Sequence, residues 1–311
     1  MKKLLIVTLL FCGLTAKAAA PTPDDKIDIL WQRLGAQIGE IEEGLDGVMG
    51  VAILDLASGR QFVLHGDDVF PQASSIKITV LAELYHQAEQ NAPGKAKLSD
   101  LYTVQANDLV ADSDILGGLT PGVSIITNHD LATMMIAVSD NSATNVLIDR
   151  VGMANVATLM ESQGLKQTKL RRKMMDLKAA AEGRENISTP REMMTLLAAL
   201  YRGQILGQKY RDDFFTMLAT HKNSYIPRGL PADLKIADKP GELEGVRNDS
   251  GVVFLKDRPY VICVMTTYLG SEKAGEEAIT KVSQAAFNLF DRLSRASEYG
   301  RVISPGNGGV R

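Results

Sequence analysis

The 311-residue chain is read as an α+β fold, an antiparallel sheet flanked by N- and C-terminal helices with an all-helical lobe inserted into it. Three observations predict this. β-Type apolar runs bounded by turn residues lie near both ends of the chain. The long stretch between them carries apolar residues at helical spacing. Amphipathic patterns bracket the whole, one before the first strand and one after the last.

The first helix covers residues 25–44, where Ile27, Leu30, Trp31, Leu34, Ile38 and Ile41 form one stripe. Val48 to Leu56 reads as a strand, and Ala57-Ser58-Gly59-Arg60 turns it into a second strand over Gln61–Leu64. Residues 75–90 are helical, with Ile76, Val80, Leu81 and Leu84 on one side. Thr127 is placed to cap a helix over 131–138, and His129 beside Asp130 reads as helix-start chemistry. Residues 142–151 and 190–201 read as further helices. Strands return at 234–239, 251–255 and 260–268, the last two joined by Lys256-Asp257-Arg258-Pro259. The closing helix over 273–295 turns Ile279, Val282, Ala286, Leu289, Phe290 and Leu293 inward. Strands from both ends can then pair in one sheet, with the helical lobe over about residues 74–225 and a cleft between the parts as the default site.

Residues 1–20 read as a signal peptide. Lys2 and Lys3 supply the positive start, Leu4 to Leu14 an apolar run too short to span a bilayer, and Ala16-Lys17-Ala18-Ala19-Ala20 small residues for cleavage. The folded domain is assigned to 21–300 and a disordered Gly/Pro-rich tail to 301–311. The protein is expected in the periplasm or secreted, with no membrane span and as a monomer. Loss of Lys2, Lys3 and Lys17 takes the basic count from 34 to 31 against 37 acidic residues, a net charge of −6. That balance excludes a basic face for nucleic acid. Only Cys263 remains beyond the leader, so no intrachain disulfide can form, and its apolar surroundings make it a buried strand residue. His65, His86, His129 and His221 show no ligand spacing, so neither a metal nor a cofactor is expected.

Three short segments can carry chemistry. In Ser74-Ser75-Ile76-Lys77 the i, i+3 spacing puts Lys77 on the face of the Ser74 hydroxyl, at a helix start that favours developing negative charge. A lysine whose pKa is lowered by burial and positive neighbours can serve as the base. Alone this pattern is weak, arising by chance on the order of once in a chain of this length. Its plainer reading is a capping serine and a surface lysine. Ser139-Asp140-Asn141 is more specific, and its plainer reading is a turn with Asp140 or Asn141 capping the next helix. Functionally, Ser139 would shuttle a proton to a leaving nitrogen, Asn141 would donate to a substrate carbonyl, and Asp140 would brace the turn. Lys239-Pro240-Gly241 ends a strand. There Gly241 allows close backbone approach, the Glu242 and Ser74 N–H groups can hold an oxyanion, and Lys239 adds positive charge for a substrate carboxylate while lowering the Lys77 pKa.

In this order and on these elements, the three segments resemble the active-site serine hydrolases of the class A β-lactamase and penicillin-binding protein superfamily. The surroundings agree: Met134-Met135-Ile136-Ala137-Val138 precedes the middle segment, Ala143-Thr144-Asn145 follows it, and Ser188-Thr189-Pro190 opens a later helix. The resemblance covers roughly residues 25–295 and implies an exported serine hydrolase, acylated at Ser74 by a β-lactam or related amide and hydrolysing it. The alternatives are a DD-peptidase-like penicillin-binding protein with slow deacylation, acting on D-alanyl peptides, a non-catalytic binding protein of the same fold, and a hydrolase of other esters or amides.

Two departures matter. Pro240 stands where the family has Thr or Ser, removing a hydroxyl and an N–H. Arg247 or Arg228 would then have to hold the substrate carboxylate. The family's glutamate that activates the deacylating water also has no clear counterpart. Glu182 and Asn186 match the Glu-x-x-x-Asn pattern literally but sit almost against Thr189-Pro190, as does Glu185. Counting back by the family's longer stretch lands near Met174, with Asp176 the closest carboxylate and therefore the expected base.

Overall fold

The computed structural model describes residues 23–297 and 299–302. The stretch assigned to the signal peptide and residues 303–311 of the assigned tail lie outside the described residues. Helix α1 (Pro23–Glu43) leads into β1 (Val48–Asp55) and β2 (Gln61–Leu64). Asp55 accepts from the N–H groups of Ala57 and Ser58 to close the hairpin turn, and Gly59 takes the left-handed φ of 79° that the turn requires. A two-residue strand β3 (Phe70–Pro71) enters a 3-10 turn (Ala73–Ile76) that runs directly into α2 (Lys77–Gln90). The lobe continues through β4 (Leu101–Thr103), β5 (Ile125–Thr127), α3 (Asn128–Ala137), α4 (Asn141–Val151), α5 (Met153–Ser162), α6 (Leu177–Ala181), β6 (Ile187–Ser188), α7 (Pro190–Tyr201) and α8 (Gln208–Leu218). The chain then returns to the sheet with β7 (Ile236–Leu243), β8 (Val246–Val253) and β9 (Tyr260–Thr267), and closes with α9 (Glu272–Arg295).

The five-stranded sheet is antiparallel in the order β2-β1-β9-β8-β7. Alternation along the strands divides two cores. Met49, Val51 and Ile53 of β1 and Ile262 and Val264 of β9 face α1 and α9, meeting Trp31, Ile38, Val282 and Phe290. Ala52, Leu54, Cys263 and Met265 face the helical lobe, with Ile76, Val80 and Leu84 of α2 among their cluster. The sheet is therefore the middle of three layers, which is why β1 is buried on both faces after its first residue. Cys263 is buried in β9, and burial pushes its thiol up to about 12.

The α+β reading holds, with three corrections of detail. Lys239-Pro240-Gly241 does not end a strand: β7 runs through it to Leu243 and turns at Glu244-Gly245. A proline is tolerated there because β7 is the edge strand, whose outer side needs no ladder donor. Helices α5, α6 and α8 were not foreseen. Of the assigned tail, residue 302 bridges back to Ala296, so the fold extends past residue 300. No helix among the described residues is long and apolar enough to cross a membrane.

Candidate active site

Ser74, Ser139, Asn141, Lys239 and Glu242 converge on one cleft of about 470 Å³ between the edge of the sheet and the helical lobe. The Ser74 turn is placed from two sides. β3 pairs with β6, and the Gln72 N–H donates to Asn186 O, tying the approach to a loop from the far side of the cleft. Ala73 adopts a left-handed φ of 48°, swinging Ser74 out at the helix start. The Ser74 N–H donates to no acceptor among the described residues, leaving it free for a ligand oxygen. On the other side β7 presses against the same turn. A Cβ on Gly241 would lie 2.5 Å from Gln72 O and 2.9 Å from Ser75 N, so only glycine permits this approach.

Lys77 is fully buried in the first turn of α2. Its ammonium donates to Ser139 O at 2.5 Å, Ser139 Oγ at 3.0 Å and Asn141 Oδ1 at 2.9 Å. Its polar contacts all lie on the 139–141 turn, and none on Ser74. Burial, and then the charge of Lys239, push its pKa well below the usual ammonium range, against the opposing pull of Asp140 and Asp112. Ser139 breaks the line between α3 and α4 in a left-handed conformation, φ 58°. Asp140 caps α4 through Ala143 N and holds the Ile115 and Leu116 N–H groups with its other oxygen. The turn is thus braced from both neighbours, as such strain requires. Asn141 presents its carbonyl to Lys77 and its amide to Ala111 O.

Lys239 reaches the same serine from the sheet, donating to Ser139 Oγ at 3.1 Å and Pro240 O at 3.3 Å. Burial, followed by the charge of Lys222, pushes its pKa down to about 8. Two lysine side chains therefore meet on one hydroxyl, a route by which a proton can cross the cleft. The Glu242 carboxylate is engaged by the Tyr225 hydroxyl at 2.5 Å, leaving its backbone as the part that faces the Ser74 turn.

The remaining expectations fare differently. Asp176 does not line this cleft. It caps α6, accepting from Ala179 N, and borders a neighbouring hollow with Asp108 and Asp149. Met174 and Met175 occupy the cleft wall instead, and the next residue along the chain points the other way. Glu182 pairs with Arg184 on the surface, and Glu185 with Arg172. Arg247 is taken by Glu272, Glu276 and two carbonyls, and Arg228 by Glu276 and Asn223, so neither lines the cleft.

Two residues that enter the sequence reading only as pattern matches prove to be positioning residues. Asn145 clasps Met174 on both sides, accepting from its N–H at 2.8 Å and donating to its O at 3.0 Å. Its signal was its place one turn after Asn141, on the same face of α4. Asn186 closes the 172–186 loop by accepting from the Arg171 and Arg172 N–H groups and donating to Arg172 O.

A family model described as the β-lactamase enzyme family matches residues 33–290. The chain belongs to this family. Among its relatives, β-lactamase SME-1 of Serratia marcescens is 29% identical over 269 residues, covering 82% of this chain and 88% of that protein. β-Lactamase CARB-3 of Pseudomonas aeruginosa is 26% identical, covering 85% and 93%. The solved β-lactamase of Sphaerobacter thermophilus superposes with a TM-score of 0.76 at 30% identity, covering 84% of this chain and 98% of that one. The penicillin-binding protein PBP-A superposes with a TM-score of 0.75 at 28% identity, covering 83% and 96%. A mutant of PBP-A, at 27% identity, is known as an acyl-enzyme complex with penicillin G. The family thus spans proteins named for hydrolysing β-lactams and proteins named for binding them.

Proposed function

We propose that this protein is an exported active-site serine enzyme that is acylated at Ser74 by β-lactams or D-alanyl peptides and releases the acyl group slowly. Ser74 Oγ bonds to the substrate carbonyl carbon as its proton passes to neutral Lys77 Nζ. The oxyanion rests on the Ser74 and Glu242 N–H groups. Its collapse breaks the C–N bond, and the leaving nitrogen takes its proton from Ser139 Oγ, which is resupplied by Lys77. Lys239 attracts the substrate carboxylate. The observation that carries the acylation half is the fully buried Lys77, depressed in pKa and joined through Ser139 to Lys239.

Slow deacylation is supported by the wall opposite Ser74. Methionines stand at 174 and 175, Asp176 faces away, and the cleft's own carboxylates are Asp112 and Asp114 on the exposed rim and the Tyr225-bound Glu242. A thioether cannot take a proton from water. Full hydrolytic turnover is the second reading, favoured by relatives named as β-lactamases.

Time-resolved intact mass of the mature protein mixed with benzylpenicillin tests both. The expected result is an adduct that forms and persists, and that is absent from Ser74→Ala. An adduct that clears while the drug is consumed establishes turnover instead. No adduct on the wild type rejects acylation. Met174→Glu, placing a carboxylate on the wall held by Asn145, is expected to shorten the adduct's lifetime by about 100-fold, the lower end of the usual range for a positioned base.

A further inference from the structure

The cleft holds a cation with no part in the steps above. Lys222 follows α8 and lines the cleft beside Lys239, Pro240 and Asn223, with 5% of its side chain exposed. Its Nζ donates to Leu218 O at 2.8 Å and lies 3.7 Å from Asp238 Oδ1, beyond hydrogen-bond range. Asp238 still pairs with it as an ion, so one of the three ammonium donors is left without a partner among the described residues.

The charges around it are unevenly placed. Lys222 and Lys239 line the cleft, while Asp238 and Asp249 are buried behind them on β7 and β8. Burial and the neighbouring Asp238 push the Asp249 carboxyl well above the usual carboxylate range. The two cationic side chains thus stand on the cleft wall and the two carboxyl groups behind it. At the same end of the cleft Pro240 contributes neither hydroxyl nor N–H, and Arg247 and Arg228 are occupied elsewhere.

We infer that Lys222 anchors the carboxylate of an anionic acyl donor beside Lys239, in place of the hydrogen bond that residue 240 lacks, and so makes the enzyme selective for acids over their neutral esters. Lys222 is a specificity residue and rests on the acylation at Ser74 proposed above.

Second-order acylation rates for benzylpenicillin and its methyl ester, followed by intact mass, test this. Lys222→Met is expected to slow acylation by the acid by about 10- to 100-fold and by the ester by less than about threefold. Lys222→Arg, which keeps the charge, is expected to recover most of the preference. Equal losses on both compounds, or no loss on either, overturn the inference. Because Lys222→Met removes a buried charge beside Asp238 and can unfold the protein, Pro240→Thr in the wild-type background gives a second reading. With Lys222 already on the carboxylate, the added hydroxyl changes the acid-to-ester ratio by less than about threefold; a gain of about tenfold or more means the subsite lacked its anchor and overturns the inference. Absence of any adduct on the wild type, with either compound, overturns the acylation reading and this inference with it. An adduct whose acid preference ignores Lys222 overturns the inference alone.

Discussion

The chemistry at the centre of the cleft depends on the proton content of two lysines a single hydroxyl apart. Lys77 loses its proton readily because it is buried and faces Lys239, while Lys239 is depressed only to about 8. Burial and the facing Lys239 thus favour the proton-accepting form of Lys77, while Lys239 is a cation below about 8, the pairing that acylation by an anionic substrate needs. As pH rises through 8, Lys239 loses its charge while Lys77 only becomes more neutral. Acylation by benzylpenicillin is expected to fall with an alkaline limb near pH 8, and acylation by the methyl ester to show no such limb. A pH series of adduct formation with both compounds checks this. At this scale much was legible. Ser74, Lys77, Ser139, Asn141 and Lys239 stand in short local segments whose spacing already carries their relation. Asp176 was misplaced because counting residues along a loop gives a position and not a direction. Lys222 had no motif around it, and its place in the cleft comes from the path of the chain between α8 and β7.

Elements hold these groups in register. Gly241 lets β7 lie against the Ser74 turn, with Gln72 O 2.5 Å from where a Cβ would stand. Gly241→Val is expected to push the strand off the turn and reduce acylation by about 100-fold or more, since displacement of reacting groups by about 1 Å costs that much. Circular dichroism should show a folded protein, because β7 is an edge strand and the ladder to β8 can persist. On the opposite wall, Asn145 ties α4 to Met174 through two hydrogen bonds. Asn145→Ala leaves the Met174 N–H and O without those partners, for an expected loss of about 1–3 kcal/mol, read from a urea midpoint. Helix and strand types were readable from periodicity and capping residues, as Thr127 and Asp130 illustrate at α3. The sequence reading ends this strand at Lys239, whereas β7 runs on to Leu243, because an edge strand tolerates Pro240 without a ladder donor.

The whole molecule is a sheet assembled from both chain ends, with β1 paired to β9 across about 200 residues of intervening chain. α1 and α9 seal the outer face, where Phe290 meets Trp31 edge-on at 5.8 Å and stacks on Tyr260 at 4.1 Å. Phe290→Ala is expected to cost about 3–5 kcal/mol and lower the melting temperature by roughly 10 °C. The adduct yield of the folded fraction should stay unchanged, because Phe290 belongs to the core on the far side of the sheet from the cleft.

The sequence by itself determined the α+β class, most of the elements, and the three segments that meet at the cleft with their order, because each rests on local spacing or local chemistry. Only the tertiary structure decided that Asp176 leaves the cleft, that methionines line it, that Arg247 and Arg228 stay outside it and that Lys222 is on its wall. Those facts depend on which way side chains turn once distant segments pack, and on burial and charge summed over residues far apart in the chain.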